Sequence, residues 1–383
     1  MQPYLYTQDL SVGYDGKILI HDINIAVERG KILTLIGPNG AGKSTILKSI
    51  TRHLAKLRGA VYIGGKEIYS WKPKEMARQV AVVLTDRIRP ELMTCGEVVA
   101  MGRYPYTNAL GKLTEQDRAA VRRALEQVHA LELEDRDFTA LSDGQRQRVM
   151  LARAICQEPE VIVLDEPTAF LDIRHKIELL DILRAMAQEE QTTVVMSLHE
   201  IDLAAKISDY LICVKGDTIA KFGPPDEIFG SGDIERLYEI QNGAYNMLFG
   251  SVELCKPQGQ PRVFVIGGGG YGVGCYRELQ KRQIPFAAGI LFENDVDYQV
   301  ARVLSDHVVT APAFEPVGEV AFRQAASLLR RCESVMDAGT PVGTFNRCNA
   351  RLLRLAEEEG IPVRHVKNRQ SDPPISQAGS PSV

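Results

Sequence analysis

The sequence Gly37-Pro-Asn-Gly-Ala-Gly-Lys-Ser44 follows the apolar run Ile32–Ile36 and precedes helix-forming residues that begin at Thr45. A strand, a glycine-rich turn and a helix start, in that order, are the context in which the pattern GxxxxGK(S/T) binds phosphate. Glycines let backbone N–H groups turn towards a phosphate, and the amino end of the helix adds a favourable dipole. We expect Lys43 to bind the β- and γ-phosphates of a nucleotide and Ser44 to ligate Mg²⁺.

Length and composition limit what the chain can be. Its 383 residues exceed one typical domain and suit two or three. The formal net charge of −4 gives no reason to expect a nucleic-acid partner, because phosphate backbones are bound by clustered Lys and Arg. The 7 cysteines are scattered, odd in number and without a CxxC pair, which indicates a reducing compartment.

The sequence predicts no membrane-spanning segment. No apolar run approaches the ~20 residues that a spanning helix needs, and the first ten residues lack the positive start of a secretory signal. We therefore expect a cytoplasmic protein. If it works at a membrane, another chain must supply the spanning helices.

The order of apolar runs predicts an α/β chain with two folded domains. Residues 1–253 alternate strand-like and helical patterns, and about 87–158 within them is predicted to be an inserted helical subdomain. The polar residues 254–262 form a predicted linker. Residues 263–367 restart the alternation as a smaller Rossmann-like domain, and the Ser-, Pro- and Gln-rich tail 368–383 is predicted to be disordered.

Two adjacent acids accompany the glycine loop. The apolar run Val161–Leu164 is followed by Asp165, Glu166 and Pro167. A short buried parallel strand ends at the edge of the sheet where ligands bind, so both acids are expected there. We predict that Asp165 holds Mg²⁺ and that Glu166 polarises the attacking water.

The stretch Leu141-Ser-Asp-Gly-Gln145 resembles the LSGGQ signature of the ATP-binding-cassette ATPases. The resemblance covers residues 3–250 approximately and rests on several motifs in order. It implies that the signature of one subunit contacts the γ-phosphate held by the glycine loop of another, so that the working ATPase is a homodimer. Ser142 and Gly144 offer a hydroxyl and a close backbone approach at a helix start, and Asp143 stands where the family usually has glycine.

Further residues match the family around the nucleotide. Tyr14 resembles the aromatic residue that stacks on adenine, residues 169–172 resemble the loop that couples the two sites, and His199 resembles the switch histidine that touches the γ-phosphate. One position departs from the family. We place Thr85 where the family has a glutamine that senses Mg²⁺ and water, and expect a bridging water or Asp86 to assist its shorter side chain.

The motifs and the resemblance together predict that ATP is contacted by Tyr14, Gly37, Pro38, Asn39, Gly40, Ala41, Gly42, Lys43, Ser44, Thr45, Thr85, Ser142, Gly144, Gln145 and Asp165. Within this site the predicted ligands of Mg²⁺ are Ser44 and Asp165, and the predicted catalytic residues are Glu166, His199 and Lys43.

Residues 101–106 (MGRYPY) and 170–177 (FLDIRHKI) resemble the ATPases of importers for iron–siderophore complexes, haem and cobalamin. In that family two ATPase subunits dock beneath membrane permeases on the inner face of the cell membrane, and an external binding protein delivers the cargo. Residues 103–106 are equally explained by a helix end and turn. The alternative function is a non-transport cytosolic ATPase that its carboxyl-terminal domain regulates.

The second predicted domain opens with a glycine-rich loop. The pattern GxGxxG falls on Gly267, Gly269 and Gly272, and Glu293 follows the next strand about twenty residues later, where a ribose-binding acid would stand. Four successive glycines are not the usual fingerprint, so three interpretations stay open. The loop is a dinucleotide site, a site for another anionic or phosphorylated ligand, or a glycine-permissive turn without a ligand.

Overall fold

We describe the fold from a computed structural model that describes residues 3–84, 90, 92–108, 111–229, 232–241, 243–246 and 250–366. The chain divides into two compact units, an amino-terminal unit (Met1–Glu239) and a carboxyl-terminal unit (Ile240–Val383). No helix within the described residues is both long enough and apolar enough to cross a bilayer.

The strands of the amino-terminal unit are β1 (Leu5–Tyr14), β2 (Lys17–Ile23), β3 (Ala26–Val27), β4 (Ile32–Ile36), β5 (Arg58–Ile63), β6 (Lys66–Glu67), β7 (Val80–Val83), β8 (Val161–Leu164), β9 (Thr193–Ser197), β10 (Tyr210–Lys215) and β11 (Thr218–Gly223). Its helices are α1 (Lys43–Ile50), α2 (Pro73–Gln79), α3 (Cys95–Ala100), α4 (Glu115–Gln127), α5 (Asp143–Cys156), α6 (Ile173–Gln188), α7 (Ile201–Ile207), α8 (Pro225–Ile228) and α9 (Asp233–Tyr238).

Two sheets build this unit. One has the order β2-β1-β5-β6 with β3 on β1, and its pairs are antiparallel. The other has the order β11-β10-β4-β9-β8-β7 and is parallel apart from the β10–β11 pair. Side chains of both sheets and of α1 share one hydrophobic core. The central strands β4, β8 and β9 are buried at every position, which explains their largely apolar sequences.

The predicted helical insertion lies between two strands that pair directly. β7 and β8 run parallel with Val80 opposite Val161. The chain between them contains α3, α4 and α5, which pack on one another, and the short 3₁₀ turns Met101–Arg103, Leu131–Leu133 and Phe138–Ala140. The sheet therefore stays continuous although a helical subdomain interrupts the sequence.

The carboxyl-terminal unit has the strands β12 (Ala244–Asn246), β13 (Ser251–Glu253), β14 (Val263–Ile266), β15 (Phe286–Phe292), β16 (His307–Ala311), β17 (Ser334–Asp337) and β18 (Val363–His365). Its helices are α10 (Val273–Lys281), α11 (Val296–Leu304), α12 (Glu319–Leu329) and α13 (Arg347–Glu358).

The main sheet of this unit is parallel throughout, with the order β16-β15-β14-β17-β18. One core contains side chains of α12 and α13, and a second contains side chains of α10 and α11. A parallel sheet whose order reverses beside its first strand, with helices forming two separate cores, is the Rossmann arrangement. The predicted fold class is thereby confirmed for both units.

The boundary between the units differs from the expected one. We predicted that the first domain would run to residue 253, but the contacts divide the chain after Glu239. The hairpin β12–β13 packs within the carboxyl-terminal unit, where Asn246 Nδ2 donates to Gln299 O (3.2 Å) and Glu253 Oε1 accepts from Arg277 Nη2 (2.6 Å). These two side chains are buried by partners far along the chain, so local sequence gave no sign of the boundary.

Candidate active site

The glycine loop between β4 and α1 has a backbone that side chains would obstruct. Gly37 has φ 147°, and a Cβ there would lie 2.3 Å from Val214 O. Gly42 has φ 93°, and its Cβ would lie 2.6 Å from Ile20 Cδ1. The loop curls around the Lys43 ammonium, which donates to the carbonyls of Gly37 (2.8 Å) and Pro38 (3.0 Å). The lysine is thus held at the helix start where phosphate is expected.

Asp165 and Glu166 lie at the carboxyl end of β8, beside the end of the parallel strand β9. Ser197, the last residue of β9, donates from Oγ to Asp165 Oδ1 (2.7 Å) and accepts the Glu166 N–H (2.9 Å). Asp165 is buried. A single hydroxyl therefore fixes one acid by its side chain and the other by its backbone.

His199 contacts the second acid directly. Glu166 has a left-handed backbone conformation, with φ 51°. Its Oε1 lies 2.7 Å from His199 Nε2, and both side chains are partly exposed. The pair leaves the second carboxylate oxygen of Glu166 available to a water molecule, which is the geometry that a general base requires.

The charges of the site act on one another. Burial lowers the pKa of the Lys43 ammonium, and the carboxylates of Glu166 and Asp165 oppose that shift. The lysine of the glycine loop and the two acids after β8 therefore belong to one electrostatic site. Asp165 and the hydroxyl of Ser44 provide hard oxygen donors, the type that Mg²⁺ binds together with phosphate oxygens.

Tyr14 ends β1 beside the first turn of α1. Its Oη lies 3.4 Å from Thr45 Oγ1, and 49% of the residue is exposed. A half-exposed ring next to the glycine loop is available to stack on a base.

The signature stretch forms the exposed amino end of α5. Ser142 Oγ accepts the Gln145 N–H (3.3 Å), and Gln145 Oε1 accepts the Ser142 N–H (3.1 Å), so the two residues form a capping box. Asp143 pairs with Arg146 (2.9 Å), which draws its carboxylate towards a cation. This pairing explains how an acid is accommodated where the family usually has glycine.

Thr85 and its neighbour Asp86 lie outside the described residues. The loop that includes residues 169–172 ends at Asp172, whose Oδ1 accepts the His175 N–H (3.0 Å) and so caps α6. Phe170, Ile173 and Ile177 leave large apolar side chains exposed around that cap.

Two residues at the site were missed by sequence reasoning. Ser197 lies immediately before the Leu-His-Glu stretch, at the end of a strand. This position could have indicated that Ser197 belongs to the site. Tyr238 Oη accepts the Gly37 N–H (3.2 Å) although the two residues are 201 positions apart, and no sequence pattern predicts this contact.

The glycine loop of the carboxyl-terminal unit already holds carboxylates. Asp297 Oδ2 accepts the N–H groups of Gly268 (2.5 Å) and Gly272 (2.8 Å), and Asp297 Oδ1 accepts that of Val273 (3.1 Å). Asp295 Oδ2 accepts the Gly269 N–H (2.8 Å). Donors that would face a pyrophosphate in a dinucleotide site thus bind the chain's own acids, an arrangement that favours the turn without a ligand among the three interpretations.

Asp297 is fully buried beneath that loop. Burial raises its pKa, and the amides of Gly272, Gly268 and Val273 act in the opposite direction. Gly267 is closely packed in the same loop, since a Cβ there would lie 2.7 Å from Tyr276 Oη. Glu293, the predicted ribose ligand, is exposed at the end of β15.

Replacing Asp297 by Ala is expected to destabilise the carboxyl-terminal unit by about 3 kcal/mol, because three amides lose a charged acceptor. Urea denaturation, with hydrogen exchange in peptides from α10, measures the loss. Glu293→Ala is the matched control and should change stability by less than about 0.5 kcal/mol. An Asp297→Ala protein that keeps its stability and binds NAD(H) or phosphate would show that the loop is a ligand site.

Comparison with known proteins identifies two regions. The family model described as ABC transporter matches residues 20–169, and that of the MJ0874 family matches residues 286–377. The first match spans the glycine loop, the signature and the acids after β8. The second lies in the carboxyl-terminal unit.

Relatives match over most of their own length. The uncharacterized ABC transporter ATP-binding protein MJ0873 of Methanocaldococcus jannaschii is 43% identical over 288 residues, 75% of this chain and 99% of the relative. The iron(3+)-hydroxamate import ATP-binding protein FhuC of Bacillus subtilis is 39% identical over 236 residues, 62% of this chain and 88% of the relative. The structure of cbiO1 from Clostridium perfringens, part of the ABC transporter complex cbiONQ, superposes with a TM-score of 0.53 and 27% identity, covering 62% of this chain and 94% of cbiO1.

Proposed function

The chain belongs to the ATP-binding-cassette transporter ATPases, and from that premise we propose that it drives an importer of metal chelates, such as ferric siderophores, haem or cobalamins. ATP hydrolysis is the activity of this family. The observation that carries the proposed mechanism is the Glu166–His199 contact of 2.7 Å at the sheet edge that also holds the glycine loop.

Glu166 and His199 act on the attacking water as a unit. His199 Nε2 holds one carboxylate oxygen of Glu166, so the other oxygen is oriented to accept a proton from water. Ser197 fixes the backbone of Glu166 and keeps this pair in place. Lys43 and the amino end of α1 stabilise the negative charge on the transferred phosphoryl group.

Asp165 and Ser44 are the residues that would hold Mg²⁺. The metal supplies charge neutralisation on the phosphates when it is bound. Ser197 orients the Asp165 carboxylate by a 2.7 Å hydrogen bond, and burial keeps water from competing for that oxygen.

The working unit is proposed to be a pair of chains. The capped start of α5 leaves Ser142 exposed and Gly144 partly exposed beside the helix dipole, and these groups suit a γ-phosphate held by a second copy. The exposed apolar residues around the α6 cap favour burial between the two copies.

A groove beside the helical subdomain is the proposed docking site for a permease. It has a volume of about 790 Å³ and lies between α2 and the turn after α3. Its lining includes Tyr104, which is 74% exposed, and Lys74, whose Nζ donates to Thr107 O (2.8 Å). Arg103 is buried in contacts with Asp117 and Glu158 (both 2.9 Å) and fixes the turn from inside. Tyr104 is the exposed aromatic residue of this turn, and a partner can reach it.

The nature of the cargo rests on likeness alone. FhuC is described as an iron(3+)-hydroxamate import protein, and residues 101–106 and 170–177 resemble the same class of importers. We propose that the permease and an external binding protein recognise the chelate, while this chain works on the inner face of the membrane.

The test combines membrane association with uptake. A tagged wild-type chain, expressed in its own organism, is expected to co-purify from detergent extracts with a multi-spanning permease at equal stoichiometry. Tyr104→Asp should abolish this association, and Phe314→Asp, which alters a similarly exposed aromatic residue of the other unit, should not. Cells lacking the chain should lose uptake of radioactive ferric siderophore, haem or cobalamin.

Recovery of an active ATPase without any membrane partner, together with normal uptake of all three chelates, would refute the importer. That outcome would favour the cytosolic ATPase that its carboxyl-terminal unit regulates.

A further inference from the structure

We propose that Tyr238 is a positioning residue for the ATP-binding loop, and that its hydroxyl sets the affinity of the site for MgATP. Gly37, the first residue of the loop, is buried, and its N–H donates to Tyr238 Oη at 3.2 Å. Tyr238 ends α9, the last helix of the amino-terminal unit. A residue that follows every recognised motif of the amino-terminal unit thus contacts the loop that opens the nucleotide site.

Gly37 is held on both sides. Its N–H binds Tyr238, and its carbonyl accepts a hydrogen bond from Lys43 Nζ (2.8 Å). Its φ of 147° lies in a region that glycine alone enters freely, so no side chain of its own limits the backbone to this conformation. The Tyr238 hydrogen bond therefore adds a restraint on Gly37, and through Gly37 it helps to fix the carbonyl that positions Lys43.

Two ion pairs join the ends of the helix that carries the phenol to the sheet. Lys221 Nζ lies 2.7 Å from Asp233 at the start of α9, and Lys215 Nζ lies 3.3 Å from Glu239 just after it. Both lysines belong to the β10–β11 pair, and β10 also pairs with β4, whose last residue precedes Gly37. Burial raises the pKa of Tyr238, so the phenol keeps its proton at neutral pH.

Removing the hydroxyl should affect binding rather than chemistry. In Tyr238→Phe the buried Gly37 N–H loses its acceptor while the ring keeps its packing. The loop then samples other orientations, and binding of MgATP must restore the productive one. The Glu166–His199 pair follows β8 and β9 and has no contact with Tyr238 among the hydrogen bonds of the described residues, so turnover at saturation should persist.

The experiment compares full-length Tyr238→Phe with wild type and with Tyr210→Phe. Tyr210 is the first residue of β10 and pairs with Leu33 of β4, at the end of the strand away from Gly37. Tyr210→Phe therefore also removes one phenolic hydroxyl from the same strand region. For Tyr238→Phe we expect KM and Kd for MgATP to rise about fivefold and kcat to stay within about twofold. Hydrogen exchange of the peptide that contains Gly37 should accelerate in this variant alone.

Three results would overturn the proposal: an unchanged KM and Kd, a fall in kcat at unchanged KM, or an equal rise of KM in Tyr210→Phe. The inference depends on ATP binding by this family and not on import. Purified protein is therefore enough to test it. If purified wild type hydrolyses too slowly to measure, the Kd for MgATP and the exchange rate still decide the role of Tyr238, while the importer is judged by co-purification and uptake.

Discussion

Replacing Glu166 by Gln is expected to lower ATP turnover by at least about a hundredfold and to leave MgATP affinity within about twofold of wild type. Glutamine keeps the size of the side chain and an oxygen that faces His199 Nε2, now 2.7 Å from Glu166 Oε1. It loses the negative charge that accepts a proton from water. Steady-state phosphate release measures turnover, and equilibrium binding of MgATP measures affinity.

Glu160→Gln is the matched control for this prediction. Glu160 precedes β8, whereas Glu166 follows it, and Glu160 contacts Tyr4 and Arg29 at the far end of the strand. The control removes the same charge from the same strand region, so turnover should remain near wild type. Rapid turnover by Glu166→Gln would exclude Glu166 as the general base. A large loss of MgATP binding would assign it a structural role instead.

The arrangement of the candidate nucleotide site could be predicted largely because its parts are local. The glycine loop needs β4 before it and α1 after it, and both are visible in fewer than twenty consecutive residues. The acids after β8 could be placed at the same sheet edge because parallel strands end together. The contacts that tune these parts were not predictable. Ser197 and Tyr238 reach their partners from 31 and 201 positions away.

The carboxyl-terminal unit shows the limit of pattern matching. The spacing of Gly267, Gly269 and Gly272 correctly placed a tight turn between a strand and a helix. It could not reveal that Asp297 would fill the turn from the start of α11, because an internal carboxylate and a bound phosphate satisfy the same amides. Asp295 caps α11 with one carboxylate oxygen, and its other oxygen accepts the Gly269 N–H.

The second large effect concerns which chain supplies each half of the site. Lys43→Met and Gly144→Asp are each expected to lower ATP turnover at least about a hundredfold when both chains of a pair carry the change. Methionine suits the buried position of Lys43 and removes its charge. At Gly144 a Cβ would meet only Leu171 Cδ2, at 3.4 Å, so aspartate is tolerated by the fold and opposes a phosphate by charge.

Pairing the two defective chains should restore activity. If the signature acts on the partner's nucleotide, a pair with Lys43→Met in one chain and Gly144→Asp in the other collects both defects in one site and leaves the second site intact. Pairs isolated by two different affinity tags should then recover about half of the wild-type turnover, provided that the two sites hydrolyse ATP independently. Steady-state phosphate release by the isolated pairs measures the recovery.

The decisive control replaces Gly144→Asp by Glu166→Gln. Glu166 and Lys43 lie in one electrostatic site of the same chain, so a pair of Lys43→Met with Glu166→Gln has one defect in each site and should stay inactive. Recovery in the first pair and none in the second is possible only if Gly144 works across the pair while Glu166 works within its own chain. If the two sites act independently, no recovery in the first pair would mean that the signature serves its own subunit, and the exposed start of α5 would then need another partner.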